Sequence, residues 1–222
     1  MLRPAATLGE MAQSDPATMS MIYFVRHGQN LANVDHVLSH RVVDYSLTER
    51  GRRQARAIAE WLRERPIRAI YSSPLGRARE TAAIIVSATG ARLFEVEALR
   101  EVDVGELDGR SDGEAWAVYE STVAAWRRAE WWARFPGSED LREARRRITS
   151  VVEDVVRRHP GQDVVVVGHG EILGAALPPL LGLCDPPVMT TGSITAVRCA
   201  GPGGLSCESW GLIEHLPDDL AM

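Results

Sequence analysis

The stretch Ile22-Tyr23-Phe24-Val25-Arg26-His27-Gly28-Gln29-Asn30 sets four apolar residues directly against an arginine and a histidine. A second stretch repeats the layout. Asp163 to Glu171 reads DVVVVGHGE, an apolar run that ends in Gly168-His169-Gly170. Apolar runs without polar alternation are expected of strands covered on both faces, as in a parallel sheet. In open α/β sheets ligands bind beyond the carboxyl ends of the strands. The two stretches therefore predict a sheet whose strand ends carry Arg26, His27 and His169 to one rim.

Strands are predicted at 21–25, 69–72, 92–96, 164–167, 194–199 and 206–212, with helical patterns between them. Ser46 with Glu49 reads as a capping box, Ala55, Ile58, Ala59 and Leu62 follow at helical spacing, and Pro66 closes that segment. Ser73 is expected to cap a second helix with Pro74 in its first turn. Asp140 and Glu143 form another cap pair, ahead of an apolar stripe of Val151, Val152, Val155 and Val156. A fourth helix follows Gly170 to about residue 183. Alternating strands and helices imply a three-layer α/β sandwich, its central sheet largely parallel and flanked by helices. The expected organisation is an N-terminal extension over 1–20, one catalytic domain over 21–213 and a tail over 214–222. Residues 110–136, rich in Trp, Tyr and Phe, read as an excursion with some helix.

Composition removes several chemistries. All 25 basic residues besides histidine are Arg, so there is no Walker A lysine and no Schiff-base lysine. A net charge of -5 gives no basic excess to track nucleic-acid phosphates. Three cysteines without metal spacing read as reduced thiols, and cytoplasmic location is the expectation. The apolar segment at 174–183 is too short and too broken by proline to span a membrane.

Arg77 follows shortly after Ser72-Ser73, at the end of a third predicted strand. Two guanidiniums offer forked donors suited to phosphate oxygens. Gly28 and Gly170 are expected to let backbone approach a ligand, and the helix starting near Gly170 to present its positive end to an anion. A histidine here can be base, acid, metal ligand or nucleophile. Singly, each is as well read as a turn residue, and Arg77 as a solvated neighbour of Arg79. The same layout at three strand ends favours a site.

These segments together resemble the histidine phosphatase superfamily, the phosphoglycerate-mutase-like fold. VRHGQNLAN resembles its opening motif, YSLTERGRRQA its L-T-x-x-G-x-x-Q-A helix start, and SSPLGRARETA its S-x-L-x-R-A-x-x-T-A segment. LREVDVGELDG resembles L-x-E-x-x-x-G-x-x-x-G, and VVVVGHGEIL supplies a second histidine. The resemblance implies His27 as the phosphorylated nucleophile and Glu101 as the proton donor. It places His169 as the second pocket histidine and Arg26, Asn33 and Arg77 on the phosphate; the backbone at Gly170 is expected to join them. It implies no metal or cofactor, and a small phosphorylated metabolite as the partner. Asn30 departs from the family's Ser or Thr, and Gly137-Ser138-Glu139-Asp140 stands where G-G-E-S is usual; Glu139 is expected to be a structural anchor.

The leading expectation is a metal-independent phosphatase of small phosphomonoesters. A phosphoglycerate-type mutase and a non-catalytic phosphate-binding protein are the alternatives. Glu101 and His169 stand 169 − 101 = 68 residues apart, shorter than the glycolytic mutases' insertion, which favours hydrolysis. Asp103, Glu106 and Asp108 are alternative acids. His36 and His40 stand four apart, a helical metal-ligand spacing with no third ligand motif. The Trp-rich segment reads equally as a substrate wall, a packed cap or a homodimer contact.

Overall fold

The two runs quoted first are neighbours. In the computed structural model, which describes residues 19–200 and 204–221, β1 (Ser20–Arg26) and β4 (Asp163–Gly168) pair in parallel, Ile22 opposite Val164 and Arg26 opposite Gly168. β2 (Ile67–Ser72) lies parallel on the other side of β4, with Ser72 opposite Val167. The sheet has the order β3-β2-β4-β1-β5-β6. β3 (Arg92–Glu95) is parallel to β2; β5 (Ile194–Cys199) and β6 (Leu205–Leu212) add an antiparallel edge. The central sheet is thus mostly parallel.

Alternation along the strands builds two cores. Ile22, Phe24, Val164 and Val166 pack with α5 (Leu141–Arg158) and α6 (Gly170–Leu181). Tyr23, Val25, Val165 and Val167 pack with α2 (Glu49–Leu62) and α3 (Gly76–Thr89). A strand buried on both faces has no polar side to present, which is why four valines follow one another. α2 buries Ala55, Ile58, Ala59 and Leu62, the positions its spacing marked.

Two predicted caps differ. Thr48, not Ser46, caps α2 by accepting the Gly51 N–H, so the Ser46–Glu49 box does not form. α3 starts at Gly76 without a side-chain cap, because Ser73 turns inward to His169. The Asp44 carboxylate reaches across and accepts the Gly76 N–H instead, at 2.9 and 2.7 Å. Asp140 and Glu143 do form both halves of a capping box on α5. α1 (Leu31–Val34) is one short turn capped by Asn30. The aromatic excursion contains α4 (Gly113–Arg127).

Of the expected extension, residues 1–18 lie outside the described residues, and Ser20 already belongs to β1. The expected tail is docked. α7 (Asp218–Ala221) buries Leu220, whose carbonyl accepts the Gln54 amide at 3.0 Å, and Asp219 pairs with Arg53 at 2.8 Å. Among the described residues no helix is long and apolar enough to cross a membrane.

The turn after β1 lies flat on the first turn of α2. A Cβ on Gly28 would stand 2.4 Å from the Gly51 carbonyl oxygen. Gly28→Ala is therefore expected to destabilise by ~1–3 kcal/mol, the usual cost of overpacking. Calorimetry should show this as a melting temperature lowered by roughly 2–4 °C per kcal/mol. An unchanged melting temperature would mean that this contact does not hold the turn.

Candidate active site

The β1–β4 register carries straight into the site. His27 N–H donates to Gly168 O at 3.1 Å, and the His27 and His169 ring centroids stand 5.1 Å apart, edge to face. His27 is 2% exposed. Its Nδ1 lies 2.7 Å from Gly28 O and its Nε2 3.2 Å from Arg77 Nε. A carbonyl only accepts, so Nδ1 carries the ring proton; Nε2 keeps a lone pair, to which Arg77 donates. Burial, then the charges of Arg77 and Arg26, hold the His27 pKa well below the ordinary histidine value. The ring is neutral, with its lone pair on Nε2.

His169 Nε2 lies 2.8 Å from Ser73 Oγ, which itself accepts the Leu75 N–H at 3.3 Å. With the Ser73 hydroxyl donating to Nε2, the neutral ring carries its proton on Nδ1. That atom is buried and has no partner. Burial, then Arg77, His27 and Arg26, also keep the His169 pKa well below its ordinary value.

Arg26 is anchored by a bond from Nη1 to Met189 O, while its Nε is buried without a partner. Arg77, 3% exposed, donates from Nη1 to Ser39 Oγ at 3.4 Å and from Nη2 to Ser39 O at 3.2 Å. Asn33 lines the same pocket, its Oδ1 accepting the Asn30 N–H. Asn30, the departure from the family pattern, is buried there with Nδ2 unpartnered. Arg26 Nε, Asn30 Nδ2 and His169 Nδ1 are three of the five buried side-chain polar atoms without a partner among the described residues. Each such atom costs roughly 1–3 kcal/mol. Arg26 and Asn30 line the pocket with His27, while His169 does not line it but packs edge to face on the His27 ring; unpaired donors beside a neutral histidine suit an oxyanion.

The expected roles of Gly28 and Gly170 change. Gly28 is small to admit Gly51, and Gly170 to admit Arg26, whose Cζ lies 2.8 Å from where its Cβ would be. Gly170 faces the adjoining cavity, not the catalytic pocket. The helix end expected to meet phosphate is taken by Glu101. Its carboxylate accepts N–H bonds from Ile172 at 2.8 Å, Glu171 at 3.3 Å and Val102 at 2.9 Å. Glu101 still lines the pocket with His27. Its chain segment is held by Arg147, which donates to the carbonyls of Ala98, Arg100 and Glu101 and is itself held by Glu139 at 2.7 Å.

The alternative acids are used elsewhere. Asp108 accepts the N–H groups of His40, Arg41 and Val42, and Asp103 accepts that of Gly105. The Glu106 side chain lies against the Gly137 turn. His36 and His40 follow α1 on a loop, not a helix. His36 packs on Trp116, and buried His40 accepts from Arg41. Among the described residues no group of three or more His, Cys, Asp or Glu is placed to hold a metal. Trp116, Tyr119, Trp126 and Phe135 line the pocket, of about 250 Å³, and also pack on one another, so they are both its wall and a packed cap. Trp131 and Trp132 are exposed.

Sequence reasoning gave Glu171 no role and placed Tyr119 only within the aromatic segment. Glu171 and Tyr119 both line the pocket; burial, then the Glu101 charge, raise the Glu171 pKa. The only signal of Glu171 is its place directly after His169-Gly170.

A family model described as the histidine phosphatase superfamily (branch 1) matches residues 22–211. The chain belongs to this superfamily. It is 34% identical over 165 residues to a probable phosphoglycerate mutase, GpmB, of Yersinia pestis, covering 74% of this chain and 76% of that one. Its fold matches YhfR of Bacillus stearothermophilus with a TM-score of 0.80, 26% identity, and coverage of 89% of this chain and 100% of that one. A mycobacterial glucosyl-3-phosphoglycerate phosphatase matches with a TM-score of 0.75 at 26% identity, covering 88% of this chain and 100% of the other. Superfamily membership makes the chain an enzyme of a group containing phosphatases and mutases.

The pKa values of His27 and His169, held well below the ordinary value, give a pH dependence to which His40 and His215, also lowered by burial, add in the same direction. Unfolded histidines bind protons near pH ~6.5. The folded rings do not, so below that pH the unfolded chain holds more protons and stability falls as pH falls. Chemical denaturation across the acid range should show this slope, and His169→Gln should flatten it. An identical slope in the variant would mean that His169 is not kept neutral.

Proposed function

We propose that this chain is a metal-independent phosphatase that hydrolyses small phosphomonoesters through a phosphohistidine at His27. The observation that carries this reading is the His27 ring, neutral and with its lone pair on Nε2. Unaided hydrolysis is so slow that ~20 kcal/mol of barrier reduction is required. Two covalent steps divide it. In the first, Nε2 attacks phosphorus, the bond to the alcohol oxygen breaks, and Glu101 gives that oxygen a proton. In the second, water attacks the phosphohistidine, Glu101 takes a proton from the water, and His27 and inorganic phosphate are released. Arg77 Nε passes from Nε2 to a phosphoryl oxygen as the N–P bond forms. Arg26, Asn33 and His169 hold the other oxygens and balance developing charge, with Asn30 beside them. Gly170 serves by leaving room for Arg26.

The pocket wall favours hydrolysis over isomerisation. Among the described residues it has no Arg or Lys beyond Arg26 and Arg77, and Leu38, Val102, Val104, Trp116 and Phe135 make part of it apolar. Among the described residues of this pocket, the carboxylate of a short phosphoglycerate would meet no cation besides those on the phosphate. The mutase name of the 34% identical relative keeps isomerisation as the second reading.

His27→Ala should abolish turnover of phosphomonoesters, and excess chelator should leave the wild-type rate unchanged. Turnover by His27→Ala at the wild-type rate would overturn the covalent mechanism. Loss on chelation, restored by a divalent cation, would overturn the metal-independent one. Conversion of one phosphoglycerate isomer into another faster than phosphate is released would establish the mutase.

Glu101→Gln should slow single-turnover phosphoryl transfer from alkyl phosphates by ~10²–10⁴-fold, the scale of general acid catalysis. Aryl phosphates, whose phenolate leaves with little protonation, should suffer much less. Equal losses for both would make Glu101 a positioning residue only.

A further inference from the structure

A second cavity, of about 620 Å³, lies against the catalytic pocket and shares Glu171 and Trp126 with it as walls. Small-molecule pockets run to roughly 300–1,000 Å³, so this one is of ordinary size. Its floor is a face of α6 on which small residues lie between Glu171 and the Pro178-Pro179 pair. Gly170, Gly174 and Ala175 line it, and a Cβ on Gly174 would meet nothing within 4 Å.

Two guanidiniums line the cavity, Arg127 at the end of α4 and Arg145 in α5. Among the described residues neither belongs to an ion pair. Arg145 is fixed in place. Pro179 has no N–H to give to the carbonyl of Ala175, one turn back, and Arg145 Nε donates to that oxygen at 2.8 Å. The guanidinium also faces the Trp131 ring, with Cζ 5.2 Å from its centroid. Its two terminal nitrogens donate to no protein atom among the described residues. Burial lowers its pKa, as expected of a cation without a counter-ion.

The acidic side chains of the cavity are Glu171, which feels the Arg127 charge, and Asp185. Glu171 stands at the boundary beside Tyr119, and burial, then the Glu101 charge, raise its pKa against the opposing charges of Arg26 and Arg127. Asp185 sits on an exposed turn at the rim. The remaining wall, with Trp126, Leu141, Pro178 and Val188, is apolar.

We propose that this cavity receives the far end of the leaving group, and that the substrates are phosphomonoesters of elongated apolar alcohols ending in a carboxylate held by Arg127 and Arg145. This rests on the phosphatase reading. The phosphoryl group occupies the histidine pocket, the apolar chain passes the aromatic wall at Trp126, and the carboxylate meets a forked donor.

The test uses para-nitrophenyl phosphate, a series of ω-carboxyalkyl phosphates of increasing length, and alkyl phosphates of matched length. Beyond a threshold length, the wild-type KM should be about ten- to a hundredfold lower for the carboxylated member, the scale of a hydrogen bond to a charged group. Arg127→Gln and Arg145→Gln should each reduce that preference, and Gly174→Leu should raise KM for the long members of both series. Turnover of para-nitrophenyl phosphate should be unchanged in all three variants. No wild-type hydrolysis of para-nitrophenyl phosphate overturns the phosphatase reading itself. Hydrolysis without carboxylate preference at any length overturns this proposal alone. So does a preference that survives in both glutamine variants, since the carboxylate would then bind elsewhere.

Discussion

The parallel pairing of β1 with β4 is the constraint on which the site depends. Arg26 opposite Gly168 brings His27 and His169 edge to face, and β2, paired to the other side of β4, adds Ser73. A slip of one residue along either strand would turn every inward side chain to the other face. Both faces here are packed into cores, so the register is strongly specified. The site inherits its precision from the hydrophobic packing below it.

Around that pair, rigidity comes from backbone groups. Gly28 O fixes the His27 tautomer, Met189 O anchors Arg26, Ser39 O holds Arg77, and α6 N–H groups seat Glu101. Electrostatic catalysis works best when dipoles need not reorganise during the reaction. The energetic cost falls on the resting state, in which Arg26 Nε, Asn30 Nδ2 and His169 Nδ1 are buried without partners. On the proposed reading a bound phosphoryl group would offer them acceptors, so that binding and relief of that cost would coincide.

Much of this was legible in the sequence, for physical reasons. Apolar runs four residues long and unrelieved by polar positions announced doubly covered strands, and His-Gly at their ends announced a rim. Asp140 with Glu143 announced the start of α5 because a capping box is local chemistry. What was hidden depends on contacts between distant segments. Ser73 reads as a cap until His169 competes for its hydroxyl, and Asp44 then supplies the α3 cap from 32 residues away. Gly28 and Gly170 read as ligand-facing because nothing local reveals Gly51 or the Arg26 guanidinium. Glu171 has only its place directly after His169-Gly170 to mark it. Arg145 looks like one more charge in an arginine-rich helix until Ala175 and Trp131 are placed beside it.

The central claim is that the Gly28 carbonyl dictates which nitrogen of His27 attacks. Phosphorus–nitrogen couplings in the phosphoenzyme, formed from an aryl phosphate on protein with ¹⁵N-labelled histidine, read this directly. The structure predicts a single phosphorus signal coupled to Nε2 of His27, with Nδ1 still protonated. Coupling to Nδ1, or to His169, would contradict it.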